Sequence, residues 1–141
     1  EFDSLKIWKE ANNLDNFLLF DEVPVEELSD IYLKCAAGLI SLDVRHTTHN
    51  IPGKLISYLN AGLPVIAFVN KGNDLISAIN TNLIGIATDD HSETSIARVF
   101  DELPNILEED NGVSDRCRSL ALSNFSSDRA ANQIIAALRR K

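Results

Sequence analysis

Residues 51–69 read Ile-Pro-Gly-Lys-Leu-Ile-Ser-Tyr-Leu-Asn-Ala-Gly-Leu-Pro-Val-Ile-Ala-Phe-Val, a helical pattern followed at once by a continuous apolar run. Pro52 suits the first position of a helix, and Gly62 suits its C-terminal end. The run at 65–69 lacks the alternation of a half-exposed strand, which favours a parallel sheet covered on both faces. This stretch therefore predicts one helix–strand unit of an α/β domain.

Three more continuous apolar runs, at 17–20, 37–42 and 83–87, predict the other strands. Helical patterns alternate with them, carried by apolar residues at 5, 8 and 11, at 28, 31, 32 and 35, and over 74–80. After Thr88 the strand patterns stop. The remaining segments predict a helix that Pro104 ends or kinks, a polar connection over 105–112, a helix from 113 to about 123, and a last helix capped by Ser126.

The order αβαβαβαβ followed by helices predicts right-handed crossovers and a Rossmann-like, three-layer α/β sandwich with a helical C-terminus. A length of 141 residues fits a single domain. We therefore interpret residues 1–141 as one domain.

The composition excludes several classes of protein. Thirteen Lys and Arg residues against 21 Asp and Glu give a net charge of −8, which disfavours binding to the phosphate backbone of nucleic acids. No apolar run approaches the ~20 residues that span a bilayer. Cys35 and Cys117 lie far apart in sequence, so a disulfide between them is possible but has no support. We therefore expect a reducing, cytoplasmic environment and buried or half-buried thiols.

Ligands of open parallel sheets bind beyond the carboxyl ends of the strands, where the loops 21–24, 43–51 and 70–73 are predicted to lie. The middle loop runs directly into a helix N-terminus, whose free N–H groups and dipole favour an anion. Gly53 would permit close approach, and Lys54 would add a positive charge. The alternative is that Lys54 simply points into solvent.

Other candidate residues carry weaker signals. His46 and His49 stand three positions apart near Asp43, but a metal site needs three or four converging ligands. Polar contacts to a ligand or within the loop are the favoured interpretation of these histidines. Residues 89–91 predict a helix-capping turn, and residues 72–74 predict a turn and cap that could also form a wall of the site.

Three segments together resemble family 4 glycosyltransferases of the GT-B fold. Residues 23–32 (VPVEELSDIY) are similar to the family's VP-x-EEL…Y stretch, and residues 51–67 (IPGKLISYLNAGLPVIA) to its VPSK-xx-EYLAAGKPVIA. Residues 125–129 (FSSDR) are similar to its closing FSWER helix. The match runs in order over nearly the whole chain, and its HTTHNIPGK form is closest to the branch of bacterial O-antigen and capsule enzymes.

The resemblance implies the C-terminal, donor-binding half of a two-domain retaining enzyme. Such an enzyme moves a sugar from a nucleotide sugar, usually UDP-linked, to a lipid-linked saccharide precursor of a surface polysaccharide, without an essential metal or other cofactor. The enzyme would work in the cytoplasm, at the inner face of the membrane. The chain would lack the acceptor domain, the first strand and the pyrophosphate-clamping Arg and Lys, so it should be inactive alone and should self-associate through the bared sheet edge.

The implied donor contacts are Val23, Pro24, His49, Asn50, Ile51, Gly53, Lys54 and Ser57. Two departures from the family affect them, because its E-x7-E glutamates fall here on His49 and Ser57. His49 can still hydrogen-bond a sugar hydroxyl and is the candidate for the catalytic position. Ser57 is too short to replace the carboxylate that holds the ribose. The sequence therefore also allows a non-catalytic nucleotide or sugar-phosphate sensor or, on weaker grounds, a receiver-like interaction domain.

Overall fold

A computed structural model describes residues 2–45 and 51–139, and these residues form seven helices and three strands. In chain order the elements are α1 (Phe2–Ala11), α2 (Val25–Tyr32), β1 (Gly38–Ser41), α3 (Gly53–Ala61), β2 (Val65–Phe68), α4 (Asp74–Thr81), β3 (Gly85–Thr88), α5 (Glu93–Glu109), α6 (Val113–Phe125) and α7 (Ser127–Leu138). The predicted α/β class, the parallel strands and the helical C-terminus are confirmed.

The three strands form one parallel sheet in the order β1-β2-β3. Gly38 of β1 is in register with Val65 of β2, which is in register with Gly85 of β3. Helices α3 and α4 make the two crossovers, as parallel pairing requires. Each crossover helix therefore starts at the carboxyl edge of the sheet, where the preceding strand ends.

Two apolar clusters on opposite faces of the sheet give the domain its three layers. One cluster unites α3, α4 and α6 with the strand residues Ile40, Val65, Ala67 and Ala87 and with Ile84 just before β3. The other packs Val99 of α5 against Ile66 and Phe68. Successive residues of β2 thus face opposite layers, and all four are buried. This explains why the sequence of β2 is apolar throughout instead of alternating.

The prediction of a strand at 17–20 is wrong. These residues form no strand, and Leu18 and Phe20 remain 65% and 72% exposed. Among the described residues β1 pairs only with β2, so the 17–20 segment has no hydrogen-bonded neighbour in the sheet. A run of apolar residues forms a strand only when its backbone N–H and C=O groups hydrogen-bond to another strand.

Pro104 was predicted to end or kink α5, and the prediction that it ends the helix is wrong. Pro104 lies inside the helix, which continues to Glu109, and the predicted 105–112 connection shrinks to three residues. Proline removes one backbone hydrogen bond from a helix. On either side of it, Leu103 packs on one apolar cluster and Ile106 on the other, so packing offsets the lost bond.

The other predicted helices are confirmed, with boundary shifts of a few residues. Gly62 ends α3 in the left-handed conformation, with φ of 77°. Ser126 caps α7 by accepting a hydrogen bond from the backbone N–H of Arg129. Within 2–45 and 51–139 no helix is both long enough and apolar enough to span a membrane.

Candidate functional site

The start of α3 is the part of the predicted site that the structure describes best. Pro52 is the N-cap rather than the first helical residue, and no side chain of the described residues caps the helix. Gly53 and Lys54 are exposed in the first turn, which contains no acidic residue. The turn therefore presents N–H groups and a lysine, with no carboxylate beside them, at the carboxyl edge of the sheet.

Open space surrounds Gly53. A Cβ atom built on this glycine would meet no atom within 4 Å outside its own helix backbone. Ile51, just before the N-cap, is 47% exposed. This surface can therefore receive an anionic group without moving any described side chain, which is the chemistry predicted for it.

Ser57, one turn further along α3, faces a groove between α2 and α3. Its hydroxyl donates a long hydrogen bond of 3.4 Å to the carbonyl oxygen of Gly53 in its own helix. The groove encloses about 380 Å³, and no charged residue is among the described residues of its wall, which are Val25, Leu28, Ser29, Tyr32, Leu33, Ser57, Asn60 and Ala61. Such a lining suits a neutral, partly apolar chemical group.

The 21–24 loop does not have its predicted origin, because no strand precedes it. Val23 is half-buried, and Pro24 is the exposed N-cap of α2. Val25, the next residue, reaches the groove that Ser57 lines. The loop thus enters the candidate site through the start of α2 and not through a strand end.

The loops after β2 and β3 have mainly structural roles. Buried Asn73 caps α4 by accepting a hydrogen bond from the backbone N–H of Leu75, and its amide donates to buried Asn70. His91 Nε2 lies 2.9 Å from the carbonyl oxygen of Val69 and joins the two loops. The capping turns predicted at 72–74 and 89–91 are confirmed, although the cap of α5 itself is Ser92.

Asp43 is paired with a neighbouring arginine, unlike the carboxylates in the open acidic cluster of a receiver domain. Its carboxylate holds the Arg45 guanidinium, with Nε at 2.9 Å, and accepts the backbone N–H of the same residue. The hydrogen bond that Arg45 donates to Asp43 raises the pKa of Arg45 above its ordinary value. The charges of both residues are therefore already paired at this edge.

His46, His49 and Asn50 lie outside the described residues. The proposed contact of His49 with a sugar, the role of Asn50, and a metal ligand at His46 or His49 stay predictions. Within 2–45 and 51–139 no three His, Cys, Asp or Glu side chains converge as metal ligands do.

The two cysteines differ in environment, and both are free. Cys117 is buried and its thiol donates to the carbonyl oxygen of Leu63 at 3.3 Å. Cys35 is exposed, so the prediction of a buried or half-buried thiol is wrong for it. The helical spacing that suggested burial does not reach Cys35, because α2 ends at Tyr32, and α2 contributes no buried residue.

We expect stability to fall between pH 9 and pH 11 because of Cys117. Burial raises the pKa of this thiol from 9.0 to about 11. The stabilisation is fully present below the unfolded pKa and is lost as the pH rises through the folded pKa, because the unfolded chain releases its proton first. The loss should be roughly 2 kcal/mol, since each pKa unit corresponds to 1.36 kcal/mol.

Urea unfolding of the wild-type chain and Cys117→Ala at pH 7.5, 9 and 10.5 measures this loss. The variant will be less stable at every pH because it leaves a cavity, but its stability should vary less above pH 9. Parallel pH profiles for the two proteins would contradict the assignment.

Sequence reasoning missed the residues that complete the groove. Ser29, Tyr32 and Asn60 come together only because α2 lies beside α3. One signal was available, since Asn60 follows Ser57 by three positions and thus lies on the same side of α3. The position of α2 had no comparable signal.

Comparisons with protein-family models, with curated proteins and with solved structures gave no match. The class of the molecule therefore rests on its own geometry. It is an α/β domain with a parallel sheet and an uncapped helix start at the carboxyl edge of that sheet.

Proposed function

We propose that this chain is the donor-binding domain of a retaining glycosyltransferase that uses a nucleotide sugar in surface-polysaccharide assembly. The observation that supports the proposal most is the start of α3, where Gly53 and Lys54 are exposed at the carboxyl edge of a parallel sheet. The resemblance of residues 51–67 to the family motif covers the same turn.

In this proposal the diphosphate lies against the first turn of α3. Backbone N–H groups of the turn donate to phosphate oxygens, and the ammonium group of Lys54 neutralises part of the charge of the departing diphosphate. The uncharged groove at Ser57 takes the nucleoside, whose ring and hydroxyls meet apolar walls and neutral hydrogen-bonding groups. The sugar extends toward His49, and no metal takes part.

One observation favours a second candidate, a non-catalytic domain that binds a nucleotide or sugar phosphate. Ser57 replaces the family's ribose-binding glutamate, and its hydroxyl turns back to Gly53. A neutral hydroxyl holds a ribose less firmly than a carboxylate does. Binding without turnover would fit this arrangement.

A panel of nucleotide sugars separates the two candidates. Calorimetric titration and a sugar-transfer assay are run, in buffer with EDTA, on residues 1–141 and on the longest natural protein that contains them. We expect both proteins to bind a nucleotide sugar and only the longer one to transfer it. Binding without transfer by both would favour the sensor, and appreciable transfer by residues 1–141 alone would contradict the two-domain proposal.

We also expect self-association through β1. The backbone N–H groups of Gly38 and Leu42 donate to Pro64 and Phe68 in and beside β2, so those of Leu39 and Ser41 point away from the sheet. Leu39 is 48% exposed. Open strand edges pair with other chains, here a second copy.

Light scattering over a concentration series measures the association. Leu39→Lys should shift the chain toward monomer, because a charge blunts the edge. A strict monomer at the highest concentration would contradict the prediction.

A further inference from the structure

A second pocket lies at the opposite edge of the sheet from Lys54. It encloses about 370 Å³, and its walls include Ala36 and Pro64, which come shortly before β1 and β2. We propose that this pocket binds a small organic anion, a carboxylate or a phosphate attached to an apolar body. The pocket shares Tyr32, Leu33 and Ala61 with the groove at Ser57, but its cation, Arg118, does not line that groove, so the proposal does not depend on the proposed donor site.

Arg118 of α6 supplies the positive charge. Its side chain is 49% exposed, the residue lines the pocket, and its guanidinium lies beside Gly62, another wall residue. The two contacts of the guanidinium are long: 3.4 Å to the carbonyl oxygen of Ala61 and 3.5 Å to the exposed Asp115. An exposed ion pair of this kind contributes little. The group therefore keeps N–H donors and most of its charge for a ligand.

Asp110 carries the one carboxylate among the described residues of the pocket wall, and this carboxylate is already paired. Asp110 accepts a hydrogen bond from Arg116 Nη1 at 3.0 Å, and Arg116 does not line the pocket. The hydrogen bond from Arg116 holds the pKa of Asp110 below its ordinary value. Because this negative charge has its own cation, it does not cancel the charge of Arg118.

The remaining walls define the rest of the ligand. The side chains of Ser114 and Asn111 line the pocket and hydrogen-bond no other described residue, so both can hold oxygen atoms of an anion. Leu33, Leu63 and Leu107 form an apolar side. An inorganic ion would leave that side in contact with water, whereas an anion on an apolar body covers it.

The test is an NMR titration of the ¹⁵N-labelled chain with four probes: phenyl phosphate, benzoate, inorganic phosphate and the neutral benzyl alcohol. We expect at least one of the two aromatic anions to shift the amide signals around Ser114. Inorganic phosphate and benzyl alcohol should bind at least about tenfold more weakly. The stronger of the two aromatic anions identifies the charged group that the pocket prefers.

Arg118→Gln removes the charge and keeps a stem beside Gly62, and Arg98→Gln on α5 is the matched control. Loss of a hydrogen bond to a charged group should weaken binding roughly ten- to a hundredfold in the first variant and not in the second. If Arg118→Gln does not fold, Ser114→Ala should weaken binding about two- to tenfold. Equal binding by the two arginine variants, no loss in Ser114→Ala, or signal shifts confined to residues 53–57 would overturn the proposal.

Discussion

Gly85→Ala is expected to destabilise the fold by more than about 3 kcal/mol, a large loss for one methyl group. Gly85 begins β3 with φ of 148°, a conformation that L side chains rarely adopt. A Cβ atom here would lie 2.0 Å from the backbone oxygen of Val65 and 2.6 Å from its nitrogen. Both atoms belong to the central strand, so they cannot yield without loss of the pairing between β2 and β3.

Gly53→Ala is the matched control for this substitution. The new methyl group would meet no atom of the described residues within 4 Å, apart from its chain neighbours and its own helix backbone. We expect a gain of about 0.4–1 kcal/mol, because alanine restricts the unfolded chain more than glycine does. Urea unfolding followed by circular dichroism measures both variants. Equal stabilities for the two would contradict the close approach of β3 to β2.

The unit formed by α3 and β2 could be predicted from sequence because its signals are local. Gly62 fits the left-handed end of a helix, and the structure has it there with φ of 77°. The apolar run that follows is buried at every position of β2. Neither signal depends on distant residues, and the structure confirms both predictions.

The segment at 17–20 could not be assigned in the same way. Its composition resembles that of β2, yet Leu18 and Phe20 are exposed. The two segments differ in their neighbours, since β2 has a strand on each side and 17–20 has none. Strand formation depends on partners distant in sequence, and an apolar run does not specify them.

The candidate site also has one part that the sequence could predict and one part that it could not. Gly53 and Lys54 lie at the predicted edge because the order strand, loop, helix fixes where the helix begins. The groove at Ser57 depends instead on the packing of α2 beside α3, which no local pattern specifies. Sequence could therefore predict where α3 begins, which is the proposed place for the diphosphate, but not the shape of the adjoining groove.

Lys54→Ala is expected to weaken donor binding and leave the fold intact. Lysine in the first turn of a helix opposes the helix dipole, so its removal should raise the stability of the fold by less than ~1 kcal/mol. If Lys54 contacts a donor phosphate, donor binding should fall by roughly 1.5–3 kcal/mol, as for a hydrogen bond to a charged group. That loss corresponds to a roughly ten- to hundredfold weaker donor affinity.

Lys34→Ala is the matched control, because it removes the same charge from an exposed lysine after α2, at the amino edge of the sheet. Lys34→Ala and Lys54→Ala have the same net charge, so any difference in donor affinity between them reflects the position of the lysine that was removed. Ser57→Ala should have a small effect, since the serine hydroxyl already hydrogen-bonds its own helix. Calorimetric titration with a nucleotide sugar and a thermal unfolding curve are recorded for all three variants.

The three variants separate an anion site from an exposed lysine with no ligand. A lysine in solvent would leave Lys54→Ala slightly more stable and unchanged in donor affinity, because only the helix dipole would respond. A phosphate contact makes the two measurements move in opposite directions, with stability unchanged or higher and affinity lower. A larger loss in Ser57→Ala than in Lys54→Ala would move the diphosphate from the first turn of α3 into the groove between α2 and α3.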